Sequence, residues 1–189
     1  PILIGKEELI KDQIMKIGYN ENFDIEIVNS KDKLKRERYV KYLFKKLQRE
    51  GGMLERDCDR LVKYDRIIWA SCMVACKDAD AMITGNTRRY SSSLEKIIKV
   101  VDPRPGEIMF GLNLVVNRGK TIFICDTSVI EYPDAGQLAD MAISAARVVR
   151  LFGFDPKVAF LSHSTFGQPV TDRTKRISDA VEILKKKKV

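Results

Sequence analysis

Short apolar runs alternate with stretches of apolar residues at helical spacing from one end of the chain to the other, the pattern of an α/β protein. Pro1 to Ile4 reads as a first strand closed by Gly5, and Leu9, Ile10, Ile14 and Ile17 follow on one helical face until Gly18. Residues 23–28 alternate as a second strand, Asn29-Ser30 supply helix starters, and a basic helix is predicted over 31–49, ended by Gly51-Gly52. A longer helix is predicted from Asp57 to about Lys77, with Leu61, Ile68, Trp69, Met73 and Val74 in the core. Residues 79–84 then read as a buried strand. A polar loop, Asn86-Thr87-Arg88-Arg89-Tyr90, leads through Ser91-Ser92-Ser93 into a helix over 94–100. Pro103, Pro105 and Gly106 form a linker. Residues 108–116 and 121–125, joined by Asn117-Arg118-Gly119-Lys120, read as a hairpin. Pro133 and Asp134 open a helix carrying Leu138, Met141, Ala142, Ala145, Val148, Val149 and Phe152, stopped by Gly153. Residues 157–161 read as another strand, followed by Ser162-His163-Ser164-Thr165-Phe166-Gly167 and a last helix over 171–187.

Composition narrows the class without naming a function. The 189 residues, 44% hydrophobic and 32% charged, suit a core-bearing chain and exclude disorder, collagen and coiled coil. No run approaches the roughly 18 to 20 apolar residues of a membrane helix, and the first residues lack the pattern of a signal peptide, so no membrane association and a cytoplasmic setting are expected. Cys58, Cys72, Cys76 and Cys125 are scattered without a CxxC pair and are expected as buried, reduced thiols. With His163 the sole imidazole, no metal site is expected.

The net charge of +8 is local. Residues 31–49 hold nine basic and two acidic side chains, and Lys185 to Lys188 are a second run, leaving a slightly acidic remainder. Leu34, Tyr39, Val40, Leu43, Phe44 and Leu47 give the basic helix an apolar face, so it reads as a solvated amphipathic helix rather than a nucleic-acid surface.

Ligands of α/β sheets collect at the loops that leave the carboxyl ends of strands, where helix N-termini turn free N–H groups outward. Two such loops carry suitable donors. Thr87, Arg88 and Arg89 combine a hydroxyl with two guanidinium groups beside a helix start, as a phosphate or carboxylate requires; a plain surface arginine pair is the alternative. Ser162, Ser164, Thr165 and Gly167 follow a strand directly and suit an anion-holding turn, or else a helix cap. A serine hydrolase is disfavoured, since Ser162 and Ser164 crowd His163 and no GxSxG elbow occurs. Gly119-Lys120-Thr121 imitates the end of a P-loop, but Leu114 stands where glycine is required and a strand follows; no GxGxxG occurs either. Asp126, after a strand, reads as a turn residue bonding to the next backbone groups, with a ligand contact as the alternative.

Asp78 to Gly85, Arg89-Tyr90, Arg104-Pro105-Gly106, Asp126-Thr127 and, above all, Ala159 to Gly167 resemble the phosphate acetyl/butyryltransferase family. The Leu161-Ser162-His163-Ser164 form with Phe166-Gly167 is most similar to the domain of that family fused to the C-terminal side of bacterial NADP-dependent malic enzymes. The resemblance covers nearly the whole chain but only part of the family's domain. It implies a two-lobed fold like isocitrate and isopropylmalate dehydrogenases, of which this chain is a partial copy, with residues 1–103 in the first lobe and 104–189 in the second. It implies acetyl-CoA or a related acyl compound as ligand and a homo-oligomer. Arg88 and Arg89, with Thr87, would face an acyl phosphate or CoA phosphate, and Ser162, Ser164, Thr165 and Gly167 the CoA side. The family's Ser-Arg-Asp catalytic set lies beyond Val189, so no catalytic residue carries over. The departures at His163 and Phe166 make the loop bulkier than in active transferases, which favours binding without turnover. NADP and Mg or Mn are expected only in a malic enzyme region of the same chain, and none of them in this piece.

Overall fold

The computed structural model describes residues 1–19, 25–164 and 168–187. These fall into two compact units, Pro1–Asp102 and Pro103–Val189.

In the first unit, β1 (Ile2–Ile4) and β2 (Glu26–Val28) pair in parallel, joined through α1 (Glu7–Lys16). Gly18, at a left-handed φ of 83°, ends α1 where the apolar spacing stops. The basic helix α2 (Lys33–Gly51) starts later than Asn29-Ser30 suggests, because Asp32 is its cap: the carboxylate accepts from the Lys35 N–H at 3.0 Å. Its apolar face buries Tyr39, Val40, Leu43 and Leu47, while Leu34 in the first turn is exposed. Four of its cations pair with carboxylates: Lys35 with Glu26, Arg36 with Asp59, Arg38 with Asp78 and Lys46 with Asp102.

The single helix expected over 57–77 is two helices, α3 (Glu55–Tyr64) and α4 (Arg66–Ala75). Asp65 takes extended backbone angles between them and accepts from the Ile67 N–H at 2.9 Å, capping α4. Burial works to raise the Asp65 pKa, but the Lys96 ammonium and the backbone donors outweigh it and hold the carboxyl below its ordinary range. Helix α4 is buried from Ile67 to Met73 and is the centre of the unit's core. Trp69 meets the Tyr39 ring edge-on at 5.0 Å, and the Tyr39 hydroxyl donates to Asp78. Helix α5 (Tyr90–Val100) closes the unit, with Val100 in the core and its carbonyl accepting from the Tyr42 hydroxyl at 3.0 Å.

In the second unit, β3 (Asn113–Asn117) and β4 (Lys120–Ile124) form the expected hairpin, in register from Asn113 opposite Ile124 to Asn117 opposite Lys120. Arg118 and Gly119 both have positive φ, 47° and 76°, which matches the right-handed twist of the strands they join. Phe123 packs against Phe152 and Phe154. Helix α6 (Ala135–Leu151) begins at Asp134, which exchanges bonds with Gln137 in a capping box. It packs on α7 (Asp172–Lys186), and Ala139, Ala142, Ala145 and Ala146 of α6 and Ala180 of α7 are buried.

Two expected strands are not formed. Among the described residues, 79–84 and 157–161 carry no strand and have no ladder partners, and Ile83 and Leu161 are exposed. An apolar run signals burial only when neighbours cover it, and among the described residues the parallel sheet stops at β1 and β2. The expected two-lobed dehydrogenase-like fold is corrected with it: the chain is a small α/β structure of seven described helices with one parallel and one antiparallel strand pair. The expectation for the thiols is corrected in part. Cys58 and Cys72 are buried, and burial pushes the Cys72 thiol up to about 12, but Cys76 is half-buried and Cys125 exposed. Among the described residues no helix is long and apolar enough to cross a membrane.

Candidate functional site

Helix α5 begins at Tyr90, earlier than expected, so Arg89 is its cap and Ser91 to Ser93 lie in its first turn. Ser93 is buried and its hydroxyl donates to the Arg89 carbonyl at 3.2 Å. No side chain caps the opening N–H groups of α5. The loop before it turns at Gly85 and Asn86, both at positive φ, and Thr87 N–H bonds the Gly85 carbonyl. Thr87, Arg88 and Arg89 are exposed, and neither arginine has an ion pair among the described residues.

The second loop is partly described: Ser162, His163 and Ser164 are, whereas Thr165 and Gly167 lie outside the described residues. Ser162 and Ser164 come together, with hydroxyl oxygens 3.0 Å apart and the Ser164 N–H donating to Ser162 Oγ. They do not cap α7. Thr171 does so, accepting from the Thr174 N–H at 3.3 Å, while Thr174 Oγ1 accepts from the Thr171 N–H at 2.8 Å. The serines instead open on a cavity of about 330 Å³, whose other polar wall is Thr174, Lys175 and Ser178 of α7 and whose apolar wall is Val170 and Ile177. That volume is at the small end for a ligand site. The α7 residues were not legible as site residues, because they lie a turn or more past the loop and only the helix brings them round.

Asp126 is the turn residue expected of it. Its carboxylate accepts from the N–H groups of Ser128, Val129 and Ile130, and also of Gly111 at 2.8 Å. Burial works to raise its pKa, and these backbone donors prevail and lower it. The Gly111 contact has no sequence signal, since the two residues lie 15 positions apart. A Cβ at Gly111 would stand 2.9 Å from Thr127 Oγ1 and 3.1 Å from Asp126 Oδ1. Gly111→Ala is therefore expected to cost about 1–3 kcal/mol, read by urea denaturation; an unchanged midpoint would contradict the tight approach. No group of three or more His, Cys, Asp or Glu able to hold a metal occurs among the described residues.

The chain belongs to the phosphate acetyl/butaryl transferase family, whose pattern it matches over residues 1–189. It is 42% identical over 185 residues to the probable NADP-dependent malic enzyme of Rickettsia prowazekii, covering 97% of this chain and 24% of that protein. The NADP-dependent malic enzyme of Rhizobium meliloti is 39% identical over 189 residues, 100% of this chain and 25% of that protein. The phosphate acetyltransferase of Helicobacter pylori is 27% identical over 98% of this chain and 35% of its own length. The chain thus spans about a quarter of the malic enzymes it matches. Among solved structures it superposes on a phosphotransacetylase from Streptococcus pyogenes with a TM-score of 0.79, at 23% identity, covering 97% of this chain and 55% of that one. The EutD phosphotransacetylase of Staphylococcus aureus gives 0.75 at 22% identity, covering 99% and 56%. These folds are phosphotransacetylases, which replaces the dehydrogenase-like expectation.

Proposed function

We propose that this chain is an acyl-CoA- and acetyl-phosphate-binding domain that regulates and oligomerises an NADP-dependent malic enzyme. Oxidative decarboxylation of malate to pyruvate, with NADP and Mg or Mn, would then belong to a region outside these 189 residues. The observation that carries this reading is the end-to-end similarity to malic enzymes of which the chain is only a quarter. In the first unit Thr87, Arg88 and Arg89, and in the second Ser162 and Ser164 with their cavity, are the groups available to a ligand. A metabolite held more tightly by one conformer shifts the attached enzyme toward it, and the coupling is reciprocal: malate or NADP changes acyl-CoA affinity by the same factor. Titration with acetyl-CoA is expected to give saturable binding; none at millimolar ligand would end the proposal.

A second reading is an active phosphate acetyltransferase, favoured by the similarity to the Helicobacter pylori enzyme. There the CoA thiolate attacks the acetyl carbonyl, the carbon–oxygen bond to phosphate breaks, and inorganic phosphate leaves. Cationic groups would stabilise the developing charge. Thioester formation from CoA and acetyl phosphate would place this reading first.

A further inference from the structure

The cavity beside Ser162 and Ser164 is rich in hydroxyls, but few of their protons are free. Thr174 Oγ1 lies 3.0 Å from the Thr171 carbonyl, to which it donates. The Ser178 hydroxyl donates to the Thr174 carbonyl at 3.3 Å. Ser162 and Ser164 share one hydroxyl hydrogen bond, and Ser162 Oγ also accepts the Ser164 N–H, so one serine proton is engaged and one remains. At the start of α7 the side chains of Thr171 and Thr174 are likewise engaged, each accepting the other's backbone N–H. What remains is the Lys175 ammonium, with three donors and a full charge.

Of the cations on α7 only Lys175 and Lys186 have no partner among the described residues, and of these two only Lys175 lines the cavity. Arg173 lies over the Tyr132 ring, Arg176 donates to the Asp172 and Pro133 carbonyls, Lys185 pairs with Glu182, and Lys187 with Asp140. Lys175 has no carboxylate partner among the described residues and lines the cavity.

We propose that Lys175 is the affinity- and specificity-determining residue of this cavity, holding a phosphoryl group of the ligand with the help of one serine hydroxyl. Ser162 and Ser164 then form one wall of the site and the first turn of α7 supplies its charge. This rests on the acyl-CoA and acetyl-phosphate reading above, since both compounds carry phosphoryl groups, and a lysine serves such groups as a point charge.

The test titrates acetyl phosphate and acetyl-CoA separately into the 189-residue chain and its Lys175→Gln, Lys175→Arg and Arg173→Gln variants, with thermal unfolding checked for each. Lys175→Gln is expected to weaken binding roughly tenfold to hundredfold, the loss of a charge-assisted contact. Lys175→Arg should keep most of the affinity, Arg173→Gln should bind as the original chain does, and binding should weaken as salt rises. A loss confined to acetyl phosphate assigns the phosphoryl group to the acyl phosphate; a loss with acetyl-CoA assigns it to the nucleotide phosphates. If the original chain binds and Lys175→Gln binds both probes equally well, the role of Lys175 is overturned and the reading stands. If the original chain binds neither probe, the reading falls and takes this assignment with it.

Discussion

Replacing Trp69 by Ala is expected to cost the first unit about 3–5 kcal/mol, the range for emptying a large aromatic site in a close-packed core. Trp69 is buried at the centre of α4 and loses its edge contact with Tyr39. Its indole N–H has no hydrogen-bond partner among the described residues, so the side chain stabilises by bulk and ring contact alone. Trp69→Phe keeps a ring against Tyr39 and removes that unpaired donor, and should cost only about 1–1.5 kcal/mol. Urea denaturation followed by circular dichroism measures both; equal losses would show that the indole N–H is satisfied after all.

Asp126→Ala is expected to remove about 3 kcal/mol from the second unit, because four backbone donors lose one acceptor group and the site is only partly solvated. The effect depends on pH in a definite sense. The folded-state pKa of Asp126 is lowered, so its contribution is fully present above the ordinary carboxylate value of about 3.9 and is lost as pH falls through the folded-state value. The gap between the original chain and Asp126→Ala should therefore be constant near neutrality and narrow below about pH 4. A gap that widens in acid would mean that Asp126 is not held as the carboxylate.

Much of this architecture is legible where local chemistry decides it. Pro133-Asp134 before α6, Gly18 after α1 and the Arg118-Gly119 turn all act within a few residues, and each element appears where they put it. The break at Asp65 was missed because the apolar period of Leu61 and Ile68 runs straight across it, hiding a cap inside what looks like one helix. Residues 79–84 and 157–161 misled for a different reason. Their apolar composition shows what they would bury, while burial itself depends on neighbours that a local pattern does not contain. In the candidate site, the adjacency of Ser162 and Ser164 was readable from the loop. Lys175 and Ser178 were not, since one turn of helix aligns residues three apart and only the packing decides which way they face.

The two unladdered segments have a consequence for handling the chain. An exposed segment outside any ladder leaves N–H and C=O groups open to a strand from another molecule, and charge or proline usually guards such segments. Asp80 acts as a gatekeeper inside 79–84. Val158 to Leu161 carry no charge or proline of their own, with Pro156 and Lys157 just before them and Val158 and Leu161 exposed, so at high concentration self-association of this chain is expected to begin at 158–161.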